Sequence, residues 1–132
     1  MPTLLDTHAW LWWVTEDRRL SRRARTAIET AQRDNDVWLS LISVWEIAKK
    51  VEKDQLTFDR PLSDWLDAAT TVAGLQIAEL TRPILVDSCS LPPPFVGDPA
   101  DHIIVATARS NGATVVTKDR KIRRYAHARS IW

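Results

Sequence analysis

The chain is poor in cysteine and glycine, with one cysteine, Cys89, and three glycines among 132 residues. A single thiol excludes an internal disulfide framework and suits a reducing cytosol. So few glycines leave no glycine-rich loop to cradle a phosphate. No apolar run approaches the roughly 20 residues of a membrane span; Ala9-Trp10-Leu11-Trp12-Trp13-Val14 is far too short. The N-terminus has no basic stretch leading into an apolar core, which argues against a signal peptide. Together these features lead us to expect a soluble cytoplasmic protein with no membrane association. The formal net charge of +1 provides no global positive field, so any attraction to nucleic acid must come from local clusters. His8, His102 and His127 are scattered without zinc-ligand spacing, and no Ser-His-Asp or Cys-His motif occurs.

What is present suits one domain, residues 1–132, with an ordinary globular balance of 45% hydrophobic and 27% charged residues. Seven tryptophans stand out: Trp10, Trp12, Trp13, Trp38, Trp45, Trp65 and Trp132. A domain of this size struggles to bury that many large rings. Since tryptophan is enriched at interaction hot spots, some are candidates for a partner surface.

Strand and helix patterns alternate along the chain. Leu4–Asp6 reads as a strand, His8–Thr15 as a short aromatic helix, and Ser21 as the cap of a helix through about Arg33. Val37–Ser40 is a buried-type strand followed by a helix over Leu41–Val51. Pro61 suits the first turn of a helix through about Ala73, and Gly74 ends it. Leu75–Leu80 follows as a strand and Arg82–Cys89 as a helix. Pro92-Pro93-Pro94 reads as a stiff loop of the polyproline type. Asp98-Pro99 opens a helix through Asn111, with Gly112 just past its end. Thr114–Thr117 is a strand, Arg120–Ala126 a short helix, and Arg129–Trp132 an edge strand. This alternation predicts an α/β fold, a parallel sheet covered by helices on both faces.

Four acids, Asp6, Glu46, Asp101 and Asp119, fall where strands give way to helices or just inside the helices that follow. Residues at the carboxyl ends of parallel strands gather in one crevice, where such folds bind ligands. Carboxylates brought to ~4 Å repel by about 4 kcal/mol per pair at an effective dielectric near 20. A hard divalent cation removes that cost, and a carboxylate-lined metal site suits phosphoryl chemistry. Each acid also has a structural explanation. Asp6 or Thr7 could cap the first helix, Ser43-x-x-Glu46 matches a capping box, Asp98-Pro99-Ala100-Asp101 reads as an N-cap sequence, and Asp119 could cap the last helix. The two explanations are compatible. Asp101 ranks as the ligand and Asp98 as its cap or helper.

Thr7 beside Asp6, and Thr117 two residues before Asp119, are placed to orient a carboxylate or a water. Lys49, Lys50, Lys118 and Arg120 are candidates for substrate phosphate contacts. The cluster Arg18, Arg19, Arg22, Arg23 and Arg25 reads as solvated surface, or as a face for an acidic partner.

Leu4-Leu5-Asp6-Thr7-His8-Ala9, Ser43-Val44-Trp45-Glu46-Ile47-Ala48-Lys49, Asp98-Pro99-Ala100-Asp101 and Val116-Thr117-Lys118-Asp119 occur in order across nearly the whole chain. Taken together they make it resemble a PIN-domain protein, and more narrowly the VapC-type toxins of bacterial toxin–antitoxin pairs. The resemblance implies a Rossmann-like three-layer sandwich with a short central parallel sheet. It implies that Asp6, Glu46, Asp101 and Asp119 form the catalytic set, using Mg²⁺ or Mn²⁺ to cleave RNA, with Thr117 as the associated hydroxyl. It also implies a homodimer held inactive by a small antitoxin, with a higher assembly of the two as a further expectation. His102 stands where relatives often carry arginine, which leaves its role open.

On this reading Asp6 and Asp101 are the principal metal ligands, Asp119 holds a second ion or a bridging water, and Glu46 orients or deprotonates the attacking water. Two alternatives belong to other classes: a phosphoryl-transfer module using Asp6 as phosphoacceptor, and a catalytically inactive binding protein. His8 stands where a phosphatase of the haloacid-dehalogenase type needs a second aspartate, which weighs against the first.

Overall fold

Leu4 and Leu5 are consecutive residues of the first strand, β1 (Thr3–Leu5), yet they enter different cores. Leu5 packs with Trp10, Ile28 and Val116, and Leu4 with Ile104, Val115 and Ile122. Successive strand side chains point to opposite faces, so a strand buried on both sides must lie between two layers of helices. The computed structural model describes all residues, 1–132. After β1 come α1 (Thr7–Val14), α2 (Arg22–Arg33), β2 (Val37–Ser40), α3 (Leu41–Glu52), α4 (Leu62–Thr70) and β3 (Leu75–Ala78). The chain continues through α5 (Arg82–Ser88), α6 (Pro99–Asn111), β4 (Thr114–Val116), α7 (Arg120–Arg123) and β5 (Arg129–Ile131).

The sheet runs β3-β2-β1-β4-β5 with every pair parallel. Residues from α1, α2, α3 and α4 build the core on one face, and residues from α6 and α7 the core on the other. The expected three-layer α/β architecture is therefore the one observed. Chain order steps outward from β1 to β2 and β3, then crosses back to place β4 on the other side of β1. The switch point lies between β1 and β4, where open parallel sheets present their ligand crevice. Leu5 is in register with both Leu39 and Val116, so the carboxyl ends of the three central strands are flush. Asp6, Ser40 and Thr117 are the residues that follow.

Local chemistry moves several boundaries. Asp6 lies just past β1 as the N-cap of α1, and β3 stops at Ala78 rather than Leu80. Pro61 occupies the N-cap of α4 rather than its first turn, and that helix ends at Thr70 instead of Ala73. The last helix stops at Arg123 instead of Ala126. The proline run contains a cis Pro93–Pro94 peptide and has no regular structure. The capping box expected from Ser43 and Glu46 does not form. Strand β2 passes into α3 without a loop, so Ser40 caps the helix by accepting from the Ile42 N–H, and Ser43 is buried inside the first turn. Gly74 meets a strict requirement. Its φ of +83° is left-handed, and a Cβ there would lie 2.6 Å from the Gln32 carbonyl oxygen.

Trp10, Trp13 and Trp65 are buried, and the Trp10 indole N–H donates to the Ala69 carbonyl at 3.0 Å. Trp45, by contrast, is 55% exposed. No helix is long and apolar enough to cross a membrane.

Candidate active site

Asp6 follows β1 as the N-cap of α1 and is only 5% exposed. Its Oδ1 accepts from the Thr7 N–H at 2.8 Å, and its Oδ2 accepts from the Thr117 hydroxyl at 2.7 Å. Thr117 is fully buried at the end of β4, and its oxygen also accepts from the Asp119 N–H at 2.9 Å. Asp119 caps α7 through the Lys121 N–H at 2.9 Å. At the start of α6, Asp98 and Asp101 form a reciprocal capping box. Asp98 Oδ1 accepts from the Asp101 N–H at 2.8 Å, and Asp101 Oδ2 accepts from the Asp98 N–H at 3.2 Å. Glu46 reaches in from the middle of α3, where its Oε1 is hydrogen-bonded to the Thr7 hydroxyl at 2.5 Å.

Asp6, Glu46, Asp101 and Asp119 all line one cleft of about 380 Å³, together with Thr7, His8, Trp12, Arg19 and Lys50. A larger, apolar cavity of about 620 Å³ lies elsewhere, between α5, the proline loop and α6. Its walls include Leu85, Leu91 and Phe95 but no acid, so the chemistry belongs to the smaller cleft.

The cleft is short of positive charge. Burial, then repulsion from Asp6, Asp98 and Asp101, pushes the Glu46 carboxyl up to about 7 against the pull of the Thr7 hydrogen bond. Burial, followed by Asp98, also raises Asp101. The Lys121 ammonium lies 3.4 Å from Asp101 Oδ2 and 3.5 Å from Asp119 Oδ2, and those two carboxylates raise its own proton affinity. Burial lowers His8 despite its acidic neighbours Asp6 and Asp119. Its Nε2 accepts from the Lys118 N–H at 2.9 Å, which leaves the proton on Nδ1, 3.7 Å from Asp6 Oδ2.

Four carboxylates supply the hard oxygen donors that Mg²⁺ and Mn²⁺ prefer. Two of them already share a side-chain cation, and two hold protons more tightly than ordinary acids. The donor set fits a divalent cation in chemistry, although no three of these groups are arranged to hold one ion as they stand.

The supporting residues divide. Thr7 and Thr117 hydrogen-bond the acids, Asp98 acts as the cap, and Lys50 lines the cleft. Lys49 does not line it; its ammonium pairs with Glu52 at 2.7 Å. Lys118 and Arg120 are exposed and also lie outside the cleft lining. His102 packs against Phe95 on the wall of the apolar cavity, its Nδ1 2.8 Å from the Asp98 carbonyl oxygen. Sequence reasoning missed Arg19, which it assigned to solvated surface, and did not single out Lys121 from its basic run or give His8 a place beside Asp6. The helical spacing of Asp17 and Arg19 to Trp12 carries no signal, because an irregular turn joins them.

A parallel α/β sheet with an acidic crevice at its switch point defines the class: a Rossmann-like protein with four carboxylates in one crevice. Within that class, residues 3–128 match the PIN domain. The chain is 35% identical over 128 residues to ribonuclease VapC22 of Mycobacterium tuberculosis, covering 97% of this chain and 95% of that protein. In fold it is similar to VapBC2 from Rickettsia felis bound to a promoter DNA fragment, with a TM-score of 0.73 at 18% identity, covering 99% of this chain and 98% of that one. DNA-bound VapBC from Salmonella typhimurium matches with a TM-score of 0.68 at 18% identity, covering 99% and 97%. The chain belongs to the PIN-domain family.

Proposed function

We propose that this chain is an endoribonuclease toxin that hydrolyses phosphodiester bonds in RNA with the aid of Mg²⁺ or Mn²⁺ and is neutralised by a small antitoxin. The observation that carries the reading is the meeting of Asp6, Glu46, Asp101 and Asp119 in one cleft at the sheet's switch point. The 35% identity to a ribonuclease supports RNA as the substrate.

Asp6, Asp101 and Asp119 are the residues that would hold the ion. When bound, it would neutralise the phosphate and offset charge on the leaving oxygen. Thr117 fixes Asp6 and the Asp119 backbone together, and Thr7 fixes Glu46. Glu46 titrates at about 7, where a carboxylate can take a proton from the attacking water at neutral pH. Lys50 on the cleft wall supplies local positive charge that lets a polyanion approach four acids.

A homodimer and an assembly with the antitoxin belong to the same reading. The complexes of similar fold support a protein partner, and exposed Trp45 is a surface suited to one. Action in the cytoplasm follows from the substrate. The proposal is tested by incubating cellular RNA with the purified chain and mapping newly formed ends. Specific ends made by the wild type and missing with Asp6→Asn are expected; identical ends from both proteins would dismiss the site assignment.

A further inference from the structure

The turn after α1 builds a flat cationic plate at the wall of the acidic cleft. Glu16 takes a left-handed φ of 54°, and the Asp17 N–H returns to the Trp12 carbonyl at 2.8 Å. The Asp17 carboxylate then receives three bonds from Arg19: the backbone N–H at 2.8 Å, Nε at 3.0 Å and Nη2 at 2.8 Å. This fork sets the guanidinium plane, whose central carbon lies 4.7 Å from the centre of the Trp12 ring. Trp12 is itself held edge-on by His8 at 5.1 Å and Trp132 at 5.8 Å. Both Trp12 and Arg19 line the cleft that holds the four acids.

The guanidinium lies over the indole and one edge is taken by Asp17, yet the side chain remains 62% exposed. Asp17 also offsets its charge, so a plain phosphate contact would make poor use of this arrangement. A flat, fixed guanidinium face suits a flat π ligand, and arginine planes and aromatic rings are the surfaces on which unpaired bases stack. Bases inside a duplex have both faces covered and cannot use such a plate. We propose that Arg19, backed by Trp12 and held by Asp17, stacks an unpaired nucleobase next to the scissile phosphate. This deepens the ribonuclease reading and rests on it. Arg19 contacts substrate; Trp12 and Asp17 are positioning residues.

The test crosses a protein change with a substrate change. A short single-stranded RNA containing one mapped cleavage site is prepared intact, and with an abasic nucleotide at each position flanking that site. Wild type, Arg19→Lys and Asp17→Asn are compared by kcat/KM with Mg²⁺, and by anisotropy of the labelled RNA in chelator. Arg19→Lys keeps the charge and loses the plane. It is expected to lose about tenfold in kcat/KM and in affinity on intact RNA, the scale of one stacked base. At one flanking position the abasic RNA costs the wild type a similar factor and costs Arg19→Lys little more. Asp17→Asn shows an intermediate loss, and a complementary strand protects the RNA from the wild type. Ratios between substrates are taken within each protein, so a stability change does not enter them. Equal cleavage of intact RNA by wild type and Arg19→Lys overturns the inference, as expected if Arg19 serves a protein partner instead. Losses that multiply at every position overturn it too, and the nuclease reading then still stands. Failure of the wild type to cut any RNA overturns both.

Discussion

The hydroxyl of Thr117 donates to Asp6 across 111 residues of sequence, joining the ends of β1 and β4 at the point where the sheet reverses its order. The same oxygen accepts from the Asp119 N–H, so one threonine sets the relative position of two acids. Thr117→Val keeps the shape and removes the hydroxyl, so Asp6 Oδ2 and the Asp119 N–H each lose their threonine partner while Asp6 Oδ1 keeps the Thr7 N–H. The expected stability loss is about 1–3 kcal/mol. RNA cleavage should fall by about 10–100-fold, as for the loss of other groups that orient metal ligands. Thr117→Ser should recover most of both. Urea denaturation and cleavage rates measure the two effects.

Glu46 predicts a particular pH dependence. Its carboxyl ionises near 4.5 in the unfolded chain and at about 7 in the folded protein, because burial first, and then the neighbouring acids, disfavour its charge. The folded state therefore binds the extra proton between these values. Glu46 subtracts stability as pH rises from 4.5 to 7, and the loss is complete above 7. In chelator, Glu46→Gln should flatten the stability profile across that window and be the more stable protein at pH 8; with Mg²⁺ restored it should lose RNA cleavage. Urea midpoints measured from pH 4 to pH 8 decide it.

Gly97 gives the proline loop room beside Asp101. A Cβ there would lie 2.9 Å from Asp101 Oδ2 and 3.0 Å from Asp101 Cβ, so Gly97→Ala must displace the carboxylate. Mn²⁺ affinity measured by calorimetry should fall by about tenfold, in the range found when groups supporting a metal ligand are disturbed. The fold, followed by circular dichroism, should be intact.

Lys121 competes for the carboxylates that would hold the ion, since its ammonium is shared between Asp101 and Asp119. Lys121→Met should bind Mn²⁺ several-fold more tightly by calorimetry. The stability change should stay below about 1 kcal/mol, because the lysine is largely exposed.

The fold was legible because its signals are local. The continuous apolar runs Leu4-Leu5 and Val115-Val116, the Asp98-Pro99 helix start and the Gly112 stop each need only a few neighbouring residues. The four acids were legible because strand ends in a parallel sheet share one edge, which turns a pattern in sequence into proximity. Ser43 was misread because its environment is set by Thr7, 36 residues away. Arg19 was missed for the same kind of reason: its partners Asp17 and Trp12 are close in sequence, but a left-handed residue at Glu16 folds them together, and nothing in a glutamate announces that conformation.

The claim on which the rest depends is that the acidic cleft cleaves RNA only with a divalent cation. One RNA is incubated with wild type, Asp6→Asn and Asp101→Asn, first in chelator and then after Mg²⁺ is restored, with circular dichroism confirming that all three are folded. The account predicts cleavage by the wild type alone, and only once Mg²⁺ returns. Cleavage that continues in chelator, or that survives in both variants, contradicts it.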